Sequence, residues 1–362
     1  MNSFGKNLRL TTFGESHGKA IGGVIDGFPP RFKIDFDDLA SAMAERRPGS
    51  SLNVTQRQED DIPEFLSGIT ENGITLGTPI GFIIRNKDSH SKDYNELKTK
   101  YRPNHADFSY DVKYGIRDYR GGGRSSARET ANWVVAGALA LQWLNKKGIS
   151  ISTVLSAVGK ISYTDELIQE LSRKPFSLKE LILPETERAK IDEEIANAKK
   201  QGDSVGGVVT CLIEGVKAGV GDPVFDKLQS HLAQAMLSIN AVKGFEYGIG
   251  TSASAKFGSE VLDIYTVNNN NDIITEANYS GGIQGGITNG MPIFFNVFFK
   301  PTPTILKEVD TIDNNKNKVT LKMTGRHDPC VAVRGVPVVK AMASLVLADF
   351  LLGGCSYNEN LW

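Results

Sequence analysis

A repeat inside the chain limits its fold more than any other feature does. Ser67–Lys87 (SGITENGITLGTPIGFIIRNK) and Ser280–Lys300 (SGGIQGGITNGMPIFFNVFFK) align without gaps, with 10 of 21 positions identical. Four shorter echoes keep the same order. Phe36–Ser41 matches Phe225–Ser230, and Ile25-Asp26-Gly27 matches Ile213-Glu214-Gly215. Arg102-Pro103 loosely matches Lys300-Pro301, and the apolar run Arg128–Leu144 has a counterpart in Arg334–Phe350. A shared order of matches marks a duplicated unit. Such a unit buries its apolar face against its twin, so halves of about 1–150 and 205–362 are expected to form one domain.

Local signals fill in the elements. Leu8–Phe13, Gly22–Asp26, Ile74–Arg85 and Gly290–Phe299 carry strand patterns. Asp35–Arg46 reads as a helix, with Asp at its start and Pro48-Gly49 beyond its end. Ser126–Lys146 is a second helix, opened by a Ser126/Glu129 capping box and closed by Lys146-Lys147-Gly148. Asp222-Pro223 predicts a helix to about Ile239, and Pro337–Leu352 a last one stopped by Gly353-Gly354. Between the halves, the Glu-, Lys- and Leu-rich stretch of about 162–202 reads as two exposed amphipathic helices. It is an insertion or a contact between copies, not a place of chemistry.

The charge total excludes some partners. With 41 Lys+Arg against 42 Asp+Glu, the chain lacks the basic excess that nucleic acid requires. The cations are nevertheless partitioned: 9 of the 15 arginines lie between Arg46 and Arg128, and none between Arg188 and Arg326. Arginine grips phosphate and carboxylate with a planar fork, so the cluster points to a small polyanionic ligand. Cys211, Cys330 and Cys355 have neither CxxC nor Cys/His metal spacing, so no metal site and a reduced, cytoplasmic setting are expected. Met1–Lys6 has no apolar core of a signal peptide, and the runs Val134–Leu141 and Leu345–Leu352 are too short to span a bilayer.

Four segments carry candidate chemistry. Gly14-Glu15-Ser16-His17-Gly18 formally matches the GxSxG elbow of serine hydrolases. That elbow turns from strand into helix, whereas here loop and strand follow, so a loop presenting Ser16 and His17 to a ligand fits better. A plain turn with a hydrogen-bonded histidine is the alternative. Tyr101–Asp107 sets His105 between Arg102 and Asp107, which pull its pKa in opposite directions. In Asp118–Thr130 a glycine triplet leads into a helix start surrounded by Arg120, Arg124, Arg128, Ser125 and Ser126, an anion-binding composition. It is neither a Walker A loop nor GxGxxG. Gly325–Cys330 holds Arg326, His327, Asp328 and Cys330; Asp328 can accept a proton or form an Asx turn before Pro329. Cys330 reads as a buried small residue. The glycine-rich Ser280–Gly286 and the run Lys300-Pro301-Thr302-Pro303-Thr304 allow close backbone approach to a ligand, or are turn punctuation.

GESHG, RPNHAD, GGGRSSARET, SGGIQGG, KPTPT and RHDPC, in this order from about Leu8 to Gly353, resemble the characteristic segments of the chorismate synthase family. The resemblance implies an α+β fold, a β-α-β sandwich with internal duplication, and a homotetramer. It implies 1,4-elimination of phosphate from 5-enolpyruvylshikimate 3-phosphate, with reduced FMN as cofactor and NADPH as a candidate reductant. By resemblance, His17 protonates the departing phosphate, His105 acts near the reduced flavin, and Asp328 assists proton removal through the flavin. Arg47, Arg57, Arg102, Arg128 and Arg334, with Ser16, match substrate positions. Arg124, Ser125, Ser126, Asn240, Ala241, Gly285, Lys300, Pro301, Thr302, Pro303, Thr304 and Arg326 match flavin positions, and Arg46 a position linked to NADPH. Leu52 stands where many relatives carry a further arginine, which weakens the nucleotide expectation at Arg46. A non-catalytic flavin or phosphometabolite module that kept the loops is the competing class.

Overall fold

The two copies of the repeat fold alike down to single hydrogen bonds. The computed structural model describes residues 1–47, 61–86, 97–173, 181–322 and 328–354. The Thr75 hydroxyl donates to Pro29 O (2.6 Å) and accepts from the Phe32 N–H (3.0 Å), while the Thr75 N–H donates to Phe32 O (2.9 Å). Thr288 repeats all three, donating to Lys217 O (2.6 Å), accepting from the Val220 N–H (2.9 Å) and donating its N–H to Val220 O (2.9 Å). Three of the shared glycines are shared for one reason. Gly68, Gly73 and Gly77 have φ of +79°, +72° and +77°, and Gly281, Gly286 and Gly290 have +64°, +99° and +88°. That region strains a residue with a Cβ.

The strands are β1 (Ser3–Phe4), β2 (Arg9–Gly14), β3 (Ala20–Asp26), β4 (Glu64–Phe65), β5 (Ile80–Arg85), β6 (Ser150–Val158), β7 (Ile161–Ser162), β8 (Gly207–Glu214), β9 (Val242–Tyr247), β10 (Tyr265–Val267), β11 (Ile273–Thr275), β12 (Ile283–Gln284), β13 (Ile287–Thr288), β14 (Ile293–Phe299), β15 (Glu308–Ile312) and β16 (Lys318–Lys322). The helices are α1 (Phe36–Arg46), α2 (Asp107–Tyr114), α3 (Thr130–Lys146), α4 (Thr164–Ser172), α5 (Glu185–Lys200), α6 (Leu228–Leu237) and α7 (Ala332–Leu352). One sheet has the order β1-β2-β3-β5-β4 and the other β7-β6-β8-β14-β9; three two-stranded hairpins, β10-β11, β12-β13 and β15-β16, complete the set among the described residues. The antiparallel triplet β2-β3-β5 with α1 and α3 corresponds to β6-β8-β14 with α6 and α7. This is an internally duplicated α+β sandwich, its helices lying between the sheets. Helix α3 touches β2 and β3 of one sheet and β6 of the other, while α7 packs on β6 and β8.

The two central helices cross closely. A Cβ on Gly137 of α3 would lie 2.4 Å from the Ala341 Cβ of α7, so glycine sets the approach. The apolar stretch near the C-terminus is longer than expected from sequence. Helix α7 begins at Ala332, five residues before Pro337, and its 21 residues are long and apolar enough to cross a membrane. Yet 83% of its apolar window is buried inside the sandwich, where it supplies core.

Other expectations shift for identifiable reasons. The strand expected over Ile74–Arg85 is confined to β5, because Gly73 and Gly77 bend the chain before it. Its counterpart is likewise confined to Ile293–Phe299. The helix expected from Asp222 starts at Leu228, since Gly221 and Val224 have φ of +108° and +68°, outside any helix. At Ser126 the hydroxyl caps Arg128 N, but the Glu129 carboxylate goes to Arg124 instead of closing a capping box. The stretch of about 162–202 does hold two helices, α4 and α5. They occupy the β6-to-β8 connection, where the first half has only the short loop carrying Ser16 and His17.

Candidate active site

Ser16 and His17 sit at the tip of the antiparallel β2–β3 hairpin. Gly14 has φ of +93°, and the Gly18 N–H closes the turn on Glu15 O at 2.9 Å. No helix follows, so the hydrolase elbow is absent from this motif. Ser16 is buried, at 2% exposure. The His17 ring lies on the backbone of the glycine triplet: a Cβ on Gly121 (φ +117°) would be 2.7 Å from His17 Nε2 and 3.4 Å from Ser16 Oγ. Glycine at 121 is therefore a condition for seating His17 here.

The arginines are paired with carboxylates. Arg102 makes a two-pronged pair with Asp107, Nε to Oδ2 at 2.8 Å and Nη2 to Oδ1 at 2.7 Å, and reaches Gly121 O at 3.4 Å. Arg117 adds a second cation to Asp107 at 3.1 Å. Burial alone would push the Asp107 carboxyl up, but the Arg102 hydrogen bonds and both charges outweigh it and hold its pKa below the ordinary value. Arg46 and Arg128 share Asp61. Arg46 Nη1 donates to Oδ2 at 2.5 Å, and Arg128 Nη1 donates to Oδ1. Asp61 has φ of +49°, a strained value for a residue other than glycine. Arg46 is 1% exposed and also donates to Thr130 Oγ1 (3.2 Å) and Ala127 O (3.3 Å). It faces inward, so contact with a nucleotide would require it to leave Asp61. Arg128 Nε donates to Asn86 Oδ1 at 3.0 Å.

The second half joins this network directly. Arg334 of α7 pairs with Asp328 Oδ2 at 2.9 Å and reaches Arg46 O at 3.4 Å. Arg47, half-buried, ends α1. Arg120 pairs with Asp118 near the surface, at 2.8 Å. Cys330 is buried, and burial pushes its thiol up to about 11, as suits a packing residue. Arg57 and Arg326 lie outside the described residues.

A neighbouring set gathers most of the flavin candidates. Asn240 Nδ2 donates to Ser125 O at 2.8 Å, and the Lys300 N–H donates to Ala241 O at 2.9 Å. Ser125 Oγ donates to Gly122 O at 2.6 Å. Arg124 is held by Glu129 (2.6 Å) and Thr12 Oγ1 (2.8 Å). The chain Lys300–Thr304 passes beside His105, whose Nε2 is 3.2 Å from Thr304 Oγ1. Asn240 Oδ1 and Thr302 Oγ1 are buried with no hydrogen bond among the described residues, and Gly285 (φ +64°) faces open space. Acceptors and hydroxyls left in this state suit a planar heterocycle with its own N–H and C=O edge. The residues fit a flavin.

The site favours the neutral form of His105. Burial, then the Arg102 charge, lower its pKa, against the opposing pull of the Pro103 carbonyl and Asp107. The Pro103 carbonyl, 3.1 Å from Nδ1, can only accept, so the proton sits on Nδ1 and Nε2 accepts from Thr304. A histidine depressed in the folded state binds fewer protons than in the unfolded chain just below about pH 6.5, so stability falls with falling pH. His105→Gln is therefore expected to flatten the decline of the thermal midpoint between pH 7 and 5. An unchanged slope in differential scanning fluorimetry counts against it.

Fold and site together define a class: a duplicated β-α-β sandwich whose arginines and histidines gather on adjoining hydrogen-bonded loops. A family model described as chorismate synthase matches residues 8–352, and the chain belongs to the chorismate synthase family. It is 54% identical over 356 residues to the chorismate synthase of Christiangramia forsetii, covering 97% of both chains. It is 52% identical over 363 residues to that of Flavobacterium psychrophilum, covering 99% of both. A solved structure described as a crystal structure of chorismate synthase superposes with a TM-score of 0.74 at 28% identity, covering 97% of this chain and 93% of that one.

Asp61, Asn86 and Glu129 carry no local sequence mark as site residues. An arginine excess that must be buried calls for carboxylates, but nothing in the spacing says which of 42 acids supply them. Asn86 had a better signal: at the end of the repeat, Arg85-Asn86 replaces Phe298-Phe299.

Proposed function

We propose that this enzyme converts 5-enolpyruvylshikimate 3-phosphate to chorismate, as a carbon–oxygen lyase of the shikimate pathway dependent on reduced FMN. The observation that carries the reading is the joining of Arg102, Arg128 and Arg46 from the first half with Arg334 and Asp328 from the second into adjoining hydrogen-bond networks, with the His17 ring packed against Gly121. The substrate carries a phosphate and two carboxylates, and arginine forks suit each of them. In the balanced reaction the C3–O bond to phosphate breaks, a ring C–H bond breaks, and a second ring double bond forms. Inorganic phosphate and a proton leave.

His17, beside the glycine triplet, gives the departing phosphate its proton. Arg102 and Arg128 hold substrate anions with Arg47, Arg57, Arg334 and Ser16, and Asp328 assists removal of the ring proton. Reduced FMN, when bound, supplies transient electron density to the ring as phosphate leaves. Arg124, Ser125, Ser126, Asn240, Ala241, Gly285, Lys300–Thr304 and Arg326 hold it, with His105 at its edge. The inward position of Arg46 supports a role beside Asp61, and no NADPH contact is proposed for it. The whole chain is read as one catalytic domain, cytoplasmic and homotetrameric. The exposed apolar side chains Phe257, Leu262, Ile264, Tyr265, Val267 and Ile273 support assembly.

The test is anaerobic turnover with dithionite-reduced FMN, following chorismate absorbance and inorganic phosphate together. Equal yields of both are expected. Binding of substrate and FMN with neither product would overturn the reading in favour of a non-catalytic module.

A further inference from the structure

One side chain joins the candidate acid to a candidate substrate cation. Asn86 follows β5 at the edge of the site. Its Nδ2 donates to Glu15 O (3.0 Å) and Gly18 O (2.9 Å), the two ends of the turn that carries Ser16 and His17. Its Oδ1 accepts from Arg128 Nε at 3.0 Å, and its own N–H donates to Lys19 O at 3.2 Å. The amide orientation follows from this network. Reversed, Oδ1 would face two carbonyl oxygens and Nδ2 would face an N–H donor, three repulsive contacts in place of three bonds. The hairpin turn has only one internal backbone hydrogen bond, Gly18 N–H to Glu15 O at 2.9 Å. Asn86 adds two more to the turn itself, beside the Arg124 Nη1 donation to Gly14 O at 3.3 Å. The second copy of the repeat has Phe299 at this position, fully inside the core, where no such loop has to be held.

We infer that Asn86 is a positioning residue that fixes the His17 turn and the Arg128 guanidinium relative to each other. The inference rests on the proposed lyase reading for its kinetic consequences, though not for its structural ones. The two ends of the amide do separable jobs. The donor end holds the turn, and thus the proton donor, while the acceptor end holds Arg128, and thus the substrate.

Two variants separate them. Asn86→Asp keeps an acceptor for Arg128 but removes both donors to the turn. Asn86→Ala removes everything. Amide hydrogen exchange on the whole purified chain reads the turn without any ligand. Both variants are expected to raise exchange at residues 16–19 at least about tenfold, with the amides of β3 unchanged. Misplacement of a reacting group costs up to about a hundredfold in rate. So kcat with reduced FMN is expected to fall about ten- to a hundredfold in both, while KM rises in Asn86→Ala and stays within about twofold in Asn86→Asp. Wild-type exchange at 16–19 in either folded variant overturns the clamp. Equal rises of KM in both variants overturn the division of labour. If Asn86→Ala does not fold, Asn86→Asp alone still decides through exchange and kcat. If the wild-type chain itself forms no chorismate, the lyase reading fails while the exchange result still tests Asn86.

Discussion

His17→Ala is expected to lower kcat for phosphate elimination by about 10²–10⁴, the usual range for losing a general acid. The expectation rests on where the ring is held. It lies against Gly121, next to the carbonyl that Arg102 reaches at 3.4 Å, at the tip of a hairpin braced by Asn86. Phosphate that leaves unprotonated carries more charge, and the surrounding arginines offset part of that cost, so residual turnover above background is expected. Substrate affinity should change little, because the arginine forks remain. The measurement is anaerobic steady-state kinetics with dithionite-reduced FMN, paired with calorimetric substrate binding. His17→Ala at the wild-type rate removes the acid role. A loss of binding equal to the loss of rate would move His17 from acid to anchor. Added imidazole should partly restore the rate, since the truncation leaves a cavity beside Gly121.

Much of the fold was legible because duplication doubles every signal. A glycine with positive φ is hard to pick out in one segment, but Gly68/Gly281, Gly73/Gly286 and Gly77/Gly290 each appear twice in register. The threonine in Gly-Ile-Thr likewise makes the same three bonds twice. Element limits were less legible where backbone geometry overrode composition. Val224 carries no sequence mark of its φ of +68°, yet it delays α6 by five residues past Pro223. Pro337 looked like a helix start and instead sits within α7, where the first turn is already formed by Ala332–Gly335.

The site was legible in its cations and histidines and not in its anions. Arginines stand out because they cluster, and glycine-flanked histidines because their motifs are unusual. Some of their partners come from far along the chain: Asp61 reaches Arg128 across 67 positions, and Asn86 reaches Glu15 across 71. Such pairings exist only once the sheets are assembled, and no local pattern encodes them. Glu129 shows the limit most directly. In sequence it completes a capping box with Ser126, but in the fold Arg124 takes its carboxylate at 2.6 Å, because a buried ion pair outcompetes one cap hydrogen bond.

Asp61→Ala should be the most destabilising single change in the site, at about 3–5 kcal/mol, the cost of breaking a buried ion pair from one side. Its carboxylate is fully buried and bridges Arg46 and Arg128, so its removal takes a counter-charge from two guanidinium groups at once. Removing Asp61 takes away the bridge, and Ala at φ +49° adds backbone strain. Asp61→Asn separates the two effects, since Asn tolerates that φ and changes only the charge. A fall in the thermal midpoint of several degrees is expected in both variants, larger for Ala. Inorganic phosphate should then stabilise the variants more than the wild type, because an anion that binds the folded state at the exposed guanidinium pair raises its stability by mass action. Scanning calorimetry at stepped phosphate concentrations reads both effects. Midpoints at the wild-type value, or equal phosphate responses in variant and wild type, would mean that Asp61 does not balance this charge. With the predicted response, Asp61 is the internal counter-ion that keeps the arginine pair folded and ready while no substrate is bound.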